Sequence, residues 1–173
     1  ACNYTYGNNG WLGLASISVS GSHITQATTK VNDTYFNTAT YNTPAWRRLV
    51  MCQEIAHDFG LAHQDEGFGA PNLGSCMDYT NDPDGGGAYG PSNEHPNQHD
   101  YDQLITIYTH LDSSTTIGQF VGKAFGLARV AEVQDDESWG EAVGHDAQGR
   151  ANEFVKHVGN DVSVVTHVLW LPE

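Results

Sequence analysis

Residues 44 to 63 limit what this chain can become more than any other stretch. Thr43-Pro44 reads as an N-cap followed by proline at the first helical position, where its missing N–H costs nothing. No helix breaker follows until Gly60. Leu49, Cys52, Ile55, Ala56 and Phe59 recur at helical spacing, which predicts a helix over 44–59. Gln53 and His57 are four apart and project from one face, with Glu54 one residue round. Gly60 suits the left-handed position that ends a helix, and a sharp turn there would bring His63 back toward the same point. Three donor side chains beside a carboxylate describe a catalytic metal site with a fourth position open for water.

The string Gln53-Glu54-x-x-His57-x-x-Gly60-x-x-His63, followed by Ser75-Cys76-Met77-Asp78-Tyr79, resembles the metzincin metallopeptidase signature and its Met-turn. Gln53 stands where most members carry the first ligand histidine, as in the gametolysin-like form. The likeness is strongest over residues 53 to 79 and weaker from Tyr4 to Leu111. It implies an α+β, metzincin-like catalytic domain: a small twisted sheet, an active-site helix, the Met-turn and a C-terminal helix. It further implies a secreted zinc endopeptidase, with zinc on Gln53, His57 and His63 and Glu54 as general base. Tyr79 would donate a hydrogen bond to the tetrahedral oxyanion, Met77 would form the apolar floor, and Gly60 would make the turn. The Met-turn of that family lies beneath the metal, against the start of the motif, so Cys52 and Cys76 are expected to be bridged. Protein or peptide substrates are implied, together with a cleaved N-terminal segment or propeptide.

Two plainer readings stay open from the residues alone. In one, Gln53 is an ordinary polar residue and the histidines belong to a helix face and a loop. In the other, loss of the first imidazole has weakened the site, leaving a catalytically weak or inactive extracellular peptide-binding protein.

Composition narrows the partners. Seven basic residues against twenty-one acidic ones give a formal net charge of −14, a surface that repels phosphates and excludes nucleic acid. No apolar run approaches the roughly 18 residues of a membrane span, and no signal peptide is visible, which reads as a processed, mature chain. Three cysteines are too few for a disulfide scaffold, and Cys2 is either the trace of a lost partner or a free thiol.

Before the helix, residues 11–20 and 23–32 read as two strands joined by Gly21-Ser22, the first half-buried with Ile17 and Val19 alternating with serines. In the family this first strand pairs with extended substrate. Residues 33–42 read as a polar connection, and the N-terminal half looks shortened beside family members. In the loop after His63, Asp65 is open to three roles: orienting a ligand histidine, replacing Gln53, or sitting in solvent. Asp82 and Asp84, in a Gly-rich loop, suit calcium or a plain flexible turn. A second helix is predicted over 99–111, with Tyr101, Leu104, Ile105, Tyr108 and Leu111 on one stripe. His95 and His99, as replacement ligands, have no counterpart in the family's order, and the histidines outside the motif read as ordinary.

Residues 113–116 read as a boundary dividing a catalytic domain, 1–112, from a β-rich extension, 113–173. Within the extension, 139–147, 151–158 and 161–171 read as three strands. Their apolar content, including Phe154, Val168, Leu169 and Trp170, predicts docking on the catalytic domain beside the strand of residues 12–20.

Overall fold

The computed structural model describes residues 1–110, 139–159 and 161–172. The boundary at 113–116 and the turn residue Asn160 lie outside the described residues, whereas the second predicted helix ends at Ile107 with Tyr108 as its C-cap, short of the expected residue 111. The architecture is α+β. Strands β1 (Cys2–Tyr4), β2 (Trp11–Ser20) and β3 (His23–Asn32) precede two helices, α1 (Asp33–Phe36) and α2 (Pro44–Asp58). Helix α3 (Gln98–Ile107) and strands β4 (Glu141–His145), β5 (Ala151–Gly159) and β6 (Val162–Trp170) follow.

All six strands form one sheet in the order β1-β3-β2-β6-β5-β4, antiparallel except for β1 against β3. β6 therefore runs beside β2, with Ala15 opposite His167 and Gly13 opposite Leu169. Being paired on both edges and covered on both faces, the first half of β2 is buried almost throughout; only its second half shows the inward-outward alternation predicted from Ile17. Leu12 packs with Leu49, Val50, Met77 and Leu169 in the main core. Trp11 and Leu14 join Trp139, Phe154 and Val168 in a second, smaller core. Gly21 turns the β2–β3 hairpin at φ 58°, a left-handed value glycine adopts without strain.

Helix α2 begins as its sequence predicts. The Thr43 side chain accepts from the Trp46 N–H at 3.2 Å, and Pro44 follows. Its buried face differs from the expected stripe. Ile55 and Phe59 are exposed, whereas Trp46, Leu49, Val50, Gln53, Glu54, Ala56 and His57 are buried. The sheet covers the stripe that runs through Gln53 and His57, so three polar residues occupy positions where packing alone would call for apolar ones.

Residues 33–42 are not wholly a loop, because α1 is capped by the Asn32 side chain accepting from the Thr34 N–H. α3 also departs from expectation. Tyr101, Ile105 and Tyr108 are exposed, and the helix is held by Leu104, Ile107 and the buried Asp100. Asp100 accepts hydrogen bonds from Ser75 Oγ at 2.6 Å and Gln64 Nε2 at 2.7 Å, and it closes a capping box with Asn97. Polar anchoring to the Ser75–Tyr79 turn thus replaces the apolar stripe.

Candidate metal centre

The end of α2 builds the first half of the site. Gly60 takes φ 87°, the Gly60 N–H donates to His57 O, and the Leu61 N–H donates to Ala56 O. This is the bond pair of a Schellman cap. It swings the Leu61 carbonyl beneath the helix, where it accepts from His57 Nδ1 at 2.7 Å. Three residues on, His63 Nδ1 donates to Glu66 Oε1 at 2.6 Å. With both Nδ1 atoms engaged by acceptors, each ring turns Nε2 toward the other, and these nitrogens lie 2.9 Å apart.

Burial pushes the His57 pKa well below the usual range, reinforced by His167 and His63, so this ring is neutral at pH 7. In a neutral ring with its proton on Nδ1, Nε2 carries a lone pair. It needs an electrophile, a proton or a metal ion.

Gln53 is buried, and neither its amide oxygen nor its nitrogen has a hydrogen-bond partner within the protein. Glu54 is equally buried, and both carboxyl oxygens lack a partner. Desolvation, then the charge of Asp58, raises the Glu54 pKa well above its usual range. Gly13 on β2 makes room for this side chain, since a Cβ there would overlap the Glu54 carboxyl group. Unpartnered buried amide and carboxyl groups cost about 1–3 kcal/mol each. The Gln53 amide and the two Nε2-directed imidazoles have the chemistry of donors to a divalent cation, with Glu54 as the adjoining acid rather than a donor.

The Ser75–Tyr79 turn closes the site from below. A disulfide joins Cys52 to Cys76 with Cα atoms 5.9 Å apart, and Cys2 is an exposed free thiol. Met77 has no exposed surface, and its carbonyl accepts from the Gln64 N–H at 2.6 Å. The Tyr79 ring lies 4.7 Å from that of His63 and stacks on Phe68. Desolvation raises the Tyr79 pKa well above its usual range, so the phenol stays protonated.

Other sequence-derived candidates fall away from this centre or change role. Glu66, not Asp65, orients His63; Asp65 Oδ1 instead accepts from the Gly67 N–H within its loop. Burial opposes ionisation of Glu66, but hydrogen bonds from His63 and Asn152 outweigh it and hold its pKa below the usual range. His99 lines a cavity of about 310 Å³ that also reaches His63, whereas His95 faces a different one. That second cavity, about 650 Å³, lies on the far side of α2 between Ile55, Phe59 and Leu104, away from the imidazoles. The Asp82 carbonyl accepts from Asn72 Nδ2 and the Gly85 N–H, while Asp84 is exposed. Among the described residues no three His, Cys, Asp or Glu side chains converge as a metal group, so a third protein donor here rests on the Gln53 amide.

Besides Glu66, sequence reasoning missed two residues, both on the C-terminal strands. His167 of β6 stacks on His57 with ring centroids 4.1 Å apart and planes 2° from parallel, so the histidines outside the motif are not all ordinary. Burial, then His63, lowers its pKa to about 4. Asn152 of β5 donates from Nδ2 to Glu66 Oε1 at 2.8 Å and to the Tyr79 hydroxyl at 3.3 Å. No local spacing announces either residue; only strand register brings them here.

Compared with protein-family models, curated proteins and solved structures, the chain matches none of them.

Proposed function

We propose that this chain is a zinc-dependent endopeptidase of metzincin type, with the metal held by His57 Nε2, His63 Nε2 and the Gln53 side-chain oxygen. The observation that carries the reading is the pair of imidazoles, each fixed through Nδ1 and aiming Nε2 at the other across 2.9 Å. Zinc and protons compete for the same Nε2 lone pairs, so metal uptake weakens as pH falls.

Zinc held by these residues would supply Lewis acidity toward water and the peptide carbonyl. Glu54, once ionised, would accept a proton from the attacking water and return it to the leaving amine. Tyr79, kept protonated by burial, would donate a hydrogen bond to the developing oxyanion. Met77 and the Cys52–Cys76 bridge hold the floor beneath His57 and His63. The bridge suits an oxidising, extracellular setting, and no helix among the described residues is long and apolar enough to cross a membrane.

One observation favours the second reading, a peptide-binding protein of weak or no activity. Gln53 and Glu54 have no exposed surface, so neither is open to a peptide bond from solvent. β3 and β6 occupy both edges of β2, which removes that edge as a peptide site under either reading. Casein cleavage separates the two. The endopeptidase reading expects cleavage that is abolished by a chelator and by Glu54→Ala. Peptide binding without turnover, unchanged in Glu54→Ala, would replace it with the binding reading.

A further inference from the structure

Two residues of the C-terminal hairpin reach the imidazole pair by separate routes. His167 lies face to face with His57, 4.1 Å between centroids and 2° between planes. Asn152 donates to Glu66 Oε1, the same oxygen that accepts from His63 Nδ1. β5 and β6 are adjacent, with Phe154 opposite Thr166 and Glu153 opposite His167, and β6 is pinned to β2 along its whole length. Both contacts therefore come from one rigid unit anchored in the second core by Phe154 and Val168.

We infer that the β5–β6 hairpin is the positioning element of the metal centre, with His167 fixing the His57 ring and Asn152 fixing the Glu66 carboxylate that fixes His63. This rests on the proposed metal reading and adds a residue for each ligand ring. His167 is not itself a ligand in this arrangement. An imidazole lone pair lies in the plane of its ring, and two parallel stacked planes do not meet at one ion. The stack instead limits rotation of His57 about its Cβ–Cγ bond, the freedom that would carry Nε2 off the line to His63. Asn152 acts on the other ring: its amide donates to the same Glu66 Oε1 that accepts from His63, which restricts the orientation of that carboxylate. Partners of this kind commonly change metal affinity by 10–100-fold when removed.

The test is zinc titration of the full chain against a chromophoric chelator, with ¹⁵N-detected histidine spectra of the metal-free protein as the second readout. Wild type is compared with His167→Ala, His167→Phe, Asn152→Ala and Asn152→Asp, each checked for native circular dichroism. Phenylalanine keeps a flat ring for the stack, whereas aspartate keeps the shape of asparagine without its N–H donor. The expected result is a loss of zinc affinity of about 10–100-fold in His167→Ala and in both Asn152 variants, with His167→Phe close to wild type. In the metal-free spectra, His57 should pass from a single Nδ1-protonated tautomer to a mixture in His167→Ala alone. Equal loss in His167→Ala and His167→Phe would overturn positioning in favour of direct coordination. Unchanged affinity in His167→Ala, or in both Asn152 variants, would overturn it outright. If folded wild type takes up no zinc, the metal reading fails, and the tautomer spectra then decide the positioning claim alone.

Discussion

The Pro44–Tyr79 region and the C-terminal hairpin contribute to the same centre by opposite means. The first works through short range: a capped helix, a Schellman turn and a disulfide place Gln53, Glu54, His57 and His63 within one local fold. The second works through register: His167 reaches His57 only because β6 pairs with β2 so that Ala15 and His167 are opposite. A slip of one residue would turn His167 to the other face of the sheet. The proposed ligand set thus lies in a few consecutive turns, while the side chains that contact it come from the far end of the chain.

The harshest way to break this comparison is to remove one side of it. Truncation after Asp112 deletes β4, β5 and β6, exposes the edge of β2 and strips Trp139, Phe154 and Val168 from the second core. Buried side chains of this size contribute roughly 1.5–3 kcal/mol each, against a total stability of about 5–15 kcal/mol. The truncated chain should be unfolded or aggregated by circular dichroism and size-exclusion chromatography. A soluble, cooperatively melting fragment would show that the N-terminal part needs no hairpin.

Breaking the other side is milder. Replacing Cys52 and Cys76 together by serine should lower stability by about 2–4 kcal/mol in urea titrations and leave the sheet intact. A loss well under that range would mean that the turn is already held without the bridge, by the Ser75–Asp100 bond and by Asn93, which accepts from the Ser75 N–H and donates to Asp78.

The two regions also differ in how they respond to pH. The folded pKa of His167 is about 4 against 6.5 for a free histidine, so the unfolded chain takes up the proton first. Its contribution to stability is complete above pH 6.5 and is lost as pH falls toward 4, reaching about 2 kcal/mol at pH 5. The stability of His167→Phe relative to wild type should therefore improve by that amount between pH 7.5 and pH 5 in the metal-free proteins. A pH-independent difference would place His167 in water rather than on His57.

Glu54 carries the opposite sign. Its folded pKa is raised, so its contribution is present below pH 4.5 and lost as pH rises. Glu54→Gln should raise the metal-free protein's stability relative to wild type as pH rises from 4.5 to 7, because the amide does not ionise whereas burial opposes ionisation of the carboxyl. The same change should end hydrolysis, as expected where function is held at the expense of stability. Destabilisation would mean that Glu54 makes a compensating contact in solution.

How much of this was legible follows the same division. Thr43, Pro44 and Gly60 declare the limits of α2 through local chemistry, and their roles hold in the structure. The buried face of α2 was less legible. Ile55 and Phe59 fit an apolar repeat, yet the sheet lies over Gln53 and His57. The repeat alone does not say which side meets the sheet, whereas the donor spacing marks the face that carries the chemistry. α3 misled for a related reason, because Asp100, Leu104 and Ile107 hold it while the tyrosines of its expected stripe are exposed. For the site, Glu66 sat one residue beyond the acid that spacing suggested, and His167 and Asn152 had no local signal at all.

The central claim is that His57 and His63 are held to share a metal ion. Calorimetric titration of the metal-free full chain with zinc, in two buffers of different ionisation enthalpy, tests it most directly. One ion per chain is expected, with a proton released as the buried Glu54 carboxyl ionises; uptake is retained without that release in Glu54→Gln, weakened in Gln53→Ala and lost in His57→Ala and His63→Ala. Absence of uptake by the folded protein, or uptake unchanged when both histidines are replaced, would contradict it.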